Sequence, residues 1–108
     1  MDYVLGVDFG TLSARAVLLR VSDGAQIATA SRGYGAYDTE LPNGLKLRPL
    51  SCCAVPSEYR DAMQTAVRET MRLSGAAPED VKGIAVDGTS LTLVALDENG
   101  VPLCEREE

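Results

Sequence analysis

From Tyr3 to Phe9 the chain reads YVLGVDF, apolar at almost every position, and the run stops at Gly10. A short continuous apolar run predicts a strand covered on both faces. Ala14 to Val21 has the aliphatic and β-branched mix of a second strand, Ser22-Asp23-Gly24 supplies a turn, and Ala25 to Arg32 reads as a third. Short turns between strands predict an antiparallel meander. Gly33 to Val55 is rich in Gly, Pro, Asn and Tyr, with Asn43-Gly44 as a tight turn; it is too long for a bare connector. The period then changes. Tyr59, Met63, Ala66, Val67 and Met71 recur at helical spacing, Ser57 is the expected N-cap, Glu58 and Asp61 favour the positive end, and Gly75 sits at the C-terminal cap. This predicts an amphipathic helix of about five turns whose apolar face covers the sheet, with the Met63 and Met71 stripe as core filling. Pro78-Glu79-Asp80 opens a brief helical turn, and Val81 to Val86 is another apolar strand, stopped by Asp87-Gly88-Thr89-Ser90. Leu91 to Leu96, a turn over Asp97-Glu98-Asn99-Gly100, and Val101 to Leu103 complete an expected hairpin. Three strands, a helix and more strand make a mixed α/β layer with at least one crossover.

One pattern recurs where strands stop. The first strand ends Val7-Asp8-Phe9-Gly10-Thr11, and the strand after the helix ends Val86-Asp87-Gly88-Thr89-Ser90. In open α/β sheets ligands collect outside the carboxyl ends of strands. A carboxylate closing an apolar run is costly unless something neutralises it. Two roles are open to Asp8. It can accept amides of its own turn and bind nothing, or it can face a magnesium ion that bridges to phosphate oxygens. Gly10 would let a ligand approach the backbone, successive turn N–H groups form an anion-binding concavity, and Thr11 and Ser13 add hydroxyls. The same two roles, turn bond or ligand contact, are open to Ser90.

Composition narrows the chemistry. A length of 108 residues suits one domain or part of one. A net charge of −6 with ten scattered Lys and Arg opposes a nucleic-acid partner. There is no histidine, so a His base or ligand is excluded within this chain. Cys52, Cys53 and Cys104 fit neither a disulfide framework nor metal-ligand spacing and read as free thiols. No apolar run approaches the ~20 residues of a membrane span, and no signal peptide is apparent, so no membrane partner and a cytoplasmic location are expected. Asp8-Phe9-Gly10 matches the metal-binding triplet of protein kinases, but their other motifs are missing. The G-x-x-x-x-G-K-[ST] and G-x-G-x-x-G phosphate motifs are absent as well. Glu105-Arg106-Glu107-Glu108 reads as a solvated end.

The stretch Val7-Asp8-Phe9-Gly10-Thr11-Leu12-Ser13-Ala14-Arg15-Ala16 resembles the first phosphate motif of sugar kinases of the FGGY family, within the actin, Hsp70 and hexokinase superfamily. The likeness continues through Leu41-Pro42-Asn43-Gly44, Pro56-Ser57-Glu58-Tyr59, Gly83-Ile84-Ala85-Val86-Asp87 and Asp97 to Leu103. It implies an RNase H-like half-domain: a mixed sheet with a three-strand meander, one long helix and a following strand hairpin. Residues 1–108 would be part of the N-terminal lobe of an ATP-dependent kinase acting on a pentulose such as ribulose. By this resemblance Asp8 would orient Mg²⁺, Gly10, Thr11 and Ser13 would contact the phosphates of ATP, and Asp87, Thr89, Ser90 and Thr92 would line the sugar site. Val86, Gly88 and Leu91 depart from the family pattern, as does Cys53-Ala54-Val55 before the helix, which leaves the identity of the sugar open. Arg15 matches the pattern, and as a strand residue it is equally suited to a salt bridge or the sheet face. The resemblance places the catalytic base and adenosine site beyond residue 108, so these residues alone are expected not to turn over. A sheet cut at this point exposes an edge and an apolar face that invite self-association. The alternatives are another FGGY kinase, for xylulose or a polyol, and a non-catalytic RNase H-like binding or assembly module.

Overall fold

The computed structural model describes residues 1–35, 46, 55–89 and 94–105. Strands β1 (Tyr3–Phe9), β2 (Ser13–Arg20) and β3 (Gln26–Gly33) form the antiparallel meander that the run lengths and turns predict. The chain then returns through helix α1 (Pro56–Ser74) and a 3₁₀ turn at Pro78–Asp80 to strand β4 (Val81–Gly88). Strand β4 pairs in parallel with β1, so the sheet order is β3-β2-β1-β4. The turn between β2 and β3 is held by Arg20, whose guanidinium donates to both carboxylate oxygens of Asp23 at 2.9 and 2.6 Å. That bond, a second from the Ala25 amide and the charge of Arg20 hold the Asp23 carboxyl down to about 2. Gly24 completes the turn at φ 70°, a conformation a side chain would resist.

The core lies between α1 and one face of the sheet. Leu5, Val7, Ala16, Leu18 and Ala66 form its buried centre, with Met63, Val67 and Met71 of the helical stripe packed against it. Ala14 and Ala16 on β2 and Ala62 and Ala66 on α1 are all buried. These short side chains let the helix approach the strand backbone. The approach is close enough that Thr70, fully buried, donates its hydroxyl to the Ala16 carbonyl at 3.4 Å, an oxygen that also accepts from Thr29 at 2.8 Å. The helical stripe in the sequence does not single out Thr70, because a threonine carries no apolar signal.

Two expectations are corrected. The apolar run of β1 suggests cover on both faces, whereas Leu5 and Val7 are buried while Val4 and Asp8 on the other face are exposed. Among the described residues α1 covers that first face alone, lying over β2 and β3 and reaching β1 less. Ile84 and Val86 of β4 therefore remain 67% and 61% exposed. Ser57 is not the N-cap. Val55 occupies that position with extended backbone and Pro56 takes the first helical turn, where its missing N–H costs nothing. The Ser57 amide is instead satisfied by the Glu105 carboxylate at 2.8 Å. Of the expected hairpin near the end of the chain, the described residues hold the turn that Asp97 caps and an antiparallel bridge across it between Leu96 and Pro102. Residues 91–93, like the Asn43-Gly44 turn and the Leu41-Pro42-Asn43-Gly44 motif, lie outside the described residues. The Gly75 cap is borne out: at φ 68° it ends α1 with its amide donating to the Met71 carbonyl.

Leu18 is fully buried at the centre of this core. Leu18→Ala is expected to lower the unfolding free energy by about 3 kcal/mol, as cavity formation does. The measurement is urea denaturation, and a shift below about 1 kcal/mol would show that the centre of the core lies elsewhere.

Candidate functional site

The parallel register of β1 and β4 aligns the two recurring strand ends residue for residue: Val7 with Val86, Asp8 with Asp87, Phe9 with Gly88. The antiparallel register sets Arg15 of β2 opposite Asp8 on the other side. Paired positions in adjacent strands project to the same face. Asp87, Asp8 and Arg15 thus stand in a row across the face that α1 leaves uncovered. They rim a shallow depression of about 240 Å³ whose floor includes Gly6, Val17 and Ala85. The floor is low because its residues are small. A Cβ added at Gly6 would come within 3.2 Å of a Val17 methyl.

Beyond the strand the chain makes a tight turn, Gly10 to Ser13, in which the Gly10 amide donates to the Ser13 carbonyl at 2.9 Å. The turn favours glycine at its first position, since a Cβ on Gly10 would sit 3.1 Å from the Ser13 carbonyl oxygen, closer than ordinary contact. Thr11 is exposed and Ser13 half-buried, within the stretch that joins Asp8 of β1 to Arg15 of β2. On the neighbouring strand the Thr89 amide donates to the Phe9 carbonyl at 3.1 Å and carries the parallel pairing one residue past β4. The turn's amide from Gly10 is therefore spent on backbone, and Asp8 is left exposed with Asp87 and Arg15 as neighbours. The structure pairs Asp8 with Asp87, Gly10 with Ser13 across the turn that holds Thr11, and Thr89 with Phe9. Ser90 and Thr92 lie outside the described residues.

The electrostatics follow from the alignment. The Asp87 carboxyl is raised above its ordinary value, first by a hydrogen bond shared with Asp8, then by partial desolvation and by repulsion from the Asp8 charge. Two neighbouring carboxylates favour a shared proton or a cation between them. Among the described residues no cluster of three or more His, Cys, Asp or Glu side chains could hold a metal by itself. A cation here would have to complete its shell with water and ligand oxygens. That donor set, one or two carboxylates with the hydroxyls of Thr11 and Ser13 nearby, fits Mg²⁺ and does not fit a soft metal.

One feature is not legible in the motif pattern. Tyr34, just past β3, donates its phenol to the Gly10 carbonyl at 3.0 Å and its amide to the Leu12 carbonyl at 3.0 Å. Its ring meets Tyr59 of α1 at 4.5 Å between centroids, and Tyr59 in turn meets Phe9 at 6.0 Å, both edge to face. The one signal for it in the sequence is the residue after a strand that pairs with the turn. Burial, with smaller contributions from Tyr59 and from the Asp8 charge, pushes the Tyr34 phenol up to about 12.

No family model matches the chain. It is 41% identical to a ribulokinase of Mycolicibacterium smegmatis over 98% of its own length and 20% of that relative's. It is likewise 41% identical to a ribulokinase of Halalkalibacterium halodurans over 94% of this chain and 19% of the other. Among solved structures, a xylulose kinase from Rhodospirillum rubrum superposes with a TM-score of 0.71 at 27% identity, covering 94% of this chain and 19% of that one. A ligand-bound xylulose kinase from Lactobacillus acidophilus superposes at 0.75 with 19% identity, a likeness of fold. The resemblance to FGGY-family sugar kinases, and the mixed-sheet half-domain that it implies, are borne out. The chain spans about a fifth of the length of the relatives it matches. Among the described residues no helix is long and apolar enough to cross a membrane.

Because Asp8 raises the proton affinity of Asp87, the folded state binds the Asp87 proton more tightly than the unfolded chain does. The stability this contributes is fully present below the unfolded carboxyl pKa and is lost as pH rises through the folded value. Asp8→Asn is expected to bring the Asp87 titration, followed by side-chain carboxyl NMR, back toward the ordinary range. An unchanged Asp87 midpoint in the variant would show that the two carboxylates do not interact.

Proposed function

We propose that this chain forms the phosphate-binding part of the N-terminal lobe of an ATP-dependent sugar kinase whose substrate is a pentulose, with ribulose first and xylulose second. The observation that carries the reading is the register that sets Asp8 beside Asp87 at the mouth of an open-faced depression, with a glycine-hinged hydroxyl turn next to it. The similarity to ribulokinases over nearly the whole chain supports the sugar class, and the xylulose kinase structure at 27% identity supports the second candidate.

In this reading each residue has a distinct task. Asp8 faces the magnesium ion of MgATP, and Gly10, Thr11 and Ser13 offer amide and hydroxyl donors to the phosphate oxygens. Mg²⁺, when bound, neutralises charge on the transferring phosphoryl group. Asp87 and Thr89, joined by Ser90 and Thr92, line the wall that holds the sugar hydroxyls. Arg15 supplies the positive end of the row and offsets the two carboxylates, so that an anionic chain is not repelled from the face. The transfer itself depends chiefly on positioning and charge neutralisation. A general base and an adenosine site belong, in this reading, to the remaining four-fifths of a kinase of the relatives' length. A kinase that draws on ATP and a small sugar is placed in the cytoplasm.

The test is phosphorylation of ribulose, xylulose and a polyol with MgATP by the full-length protein, comparing wild type with Asp8→Ala. Turnover with a pentulose and a drop in kcat of roughly 100-fold or more in the variant are expected, the usual cost of removing one charge-stabilising group. A variant as fast as wild type would remove the metal role from Asp8. Turnover with none of the sugars would favour a binding module over an enzyme.

A further inference from the structure

We propose that Tyr34 is a positioning residue that holds the Gly10 to Ser13 turn open for an anionic phosphate chain. This rests on the reading of that turn as a phosphate site, and it assigns the task of shaping it to a side chain just past β3.

The geometry begins with the hydrogen bonds of the turn. Phe9 pairs with Ala14, so Gly10 and Ser13 face one another with Thr11 and Leu12 as the two loop residues. A closed turn of this size has the fourth residue's N–H donating to the first residue's carbonyl. Here the Gly10 carbonyl accepts from the Tyr34 phenol instead, at 3.0 Å. The bond formed across the turn is the reverse one, from the Gly10 amide to the Ser13 carbonyl. Tyr34 also takes the next carbonyl but one, since its own amide donates to Leu12 at 3.0 Å.

Peptide planarity converts these two bonds into an orientation. In a trans peptide the C=O and N–H point to opposite sides of the chain. With the Gly10 carbonyl drawn to the phenol, the Thr11 N–H is directed away from it. With the Leu12 carbonyl drawn to the Tyr34 backbone, the Ser13 N–H is directed away from β3. Two amides are thereby presented on the side of the turn remote from Tyr34, which is the arrangement an anion-binding concavity requires. The phenol can enforce this because packing fixes its place. The Tyr34 ring is held edge to face against Tyr59 of α1, which is held in the same way against Phe9 at the end of β1. Its raised pKa keeps it a donor throughout the neutral range.

Tyr34→Phe removes the donor and keeps the ring, and Tyr59→Phe is the control that leaves both Tyr34 bonds in place. In the full chain, Tyr34→Phe is expected to raise KM for MgATP roughly three- to tenfold, the effect of losing one modest hydrogen bond. KM for the sugar and the thermal midpoint should stay at their wild-type values, a split that a purely structural role would not produce. An active Tyr34→Phe enzyme with unchanged KM for MgATP overturns the positioning role and leaves the kinase reading standing. Should wild type show no turnover, the kinase reading falls by itself, and amide hydrogen exchange judges Tyr34 independently. The freed Gly10 carbonyl should then capture the Ser13 N–H and slow its exchange in Tyr34→Phe, whereas equal exchange in the two proteins overturns the inference.

Discussion

The parallel pairing of β4 with β1 is the constraint on which the site depends. Within one strand an aspartate after an apolar run is only a polar terminus. When a second strand of the same pattern is laid beside it in register, Asp8 and Asp87 become neighbours and Asp8 raises the proton affinity of Asp87. Two carboxylates on one face cannot both be charged at no cost, and a divalent cation offers a means of relieving the repulsion. Arg15, opposite Asp8 in the antiparallel register, compensates from the other side. The row of three charges is a product of sheet register, and a slip of one residue would send Asp87 to the helix-covered face.

That register is in turn fixed by the core beneath it. Leu5 and Val7 are buried under the helix, and alternation along the strand obliges Gly6 and Asp8 to face the other way. The short residues at Ala14, Ala16, Ala62 and Ala66 let α1 lie close on the sheet, close enough for Thr70 to reach a strand carbonyl. Among the described residues the helix covers one face and leaves the other bare, with Gly6 and Ala85 keeping its floor low. Burial on one side and access on the other are thus two consequences of one packing arrangement.

The aromatic cluster links that packing to the turn. Phe9, Tyr59 and Tyr34 come from the end of β1, the first turns of α1 and the residue after β3. Their contact ties three chain segments to the point where the glycine turn begins. The phenol of Tyr34 ends at the Gly10 carbonyl, so the geometry of the Gly10 to Ser13 turn is referred back to the helix–sheet interface. The missing Cβ at position 10 spares the turn a 3.1 Å contact with the Ser13 carbonyl oxygen, and the Tyr34 phenol holds the Gly10 carbonyl at 3.0 Å.

Local periodicity in the sequence was enough to determine the elements: the three-strand meander, the helix ended by Gly75 and the apolar strand after it all form close to where their patterns place them. It also marked the two Asp-bearing strand ends as chemically alike. Periodicity reports which side chains share a face of one element, and it is silent on what lies across from them. Whether both faces of β1 are covered, whether Ser57 or the distant Glu105 serves the start of α1, and how Asp8 stands to Asp87 and Arg15 were all decided by the tertiary structure. The role of Tyr34 belongs to the same group, because a hydrogen bond spanning 24 residues leaves no trace in the spacing of either partner. Local pattern fixes the pieces because it acts through short-range sterics and burial, while the site arises from contacts between pieces that only the assembled sheet brings into range.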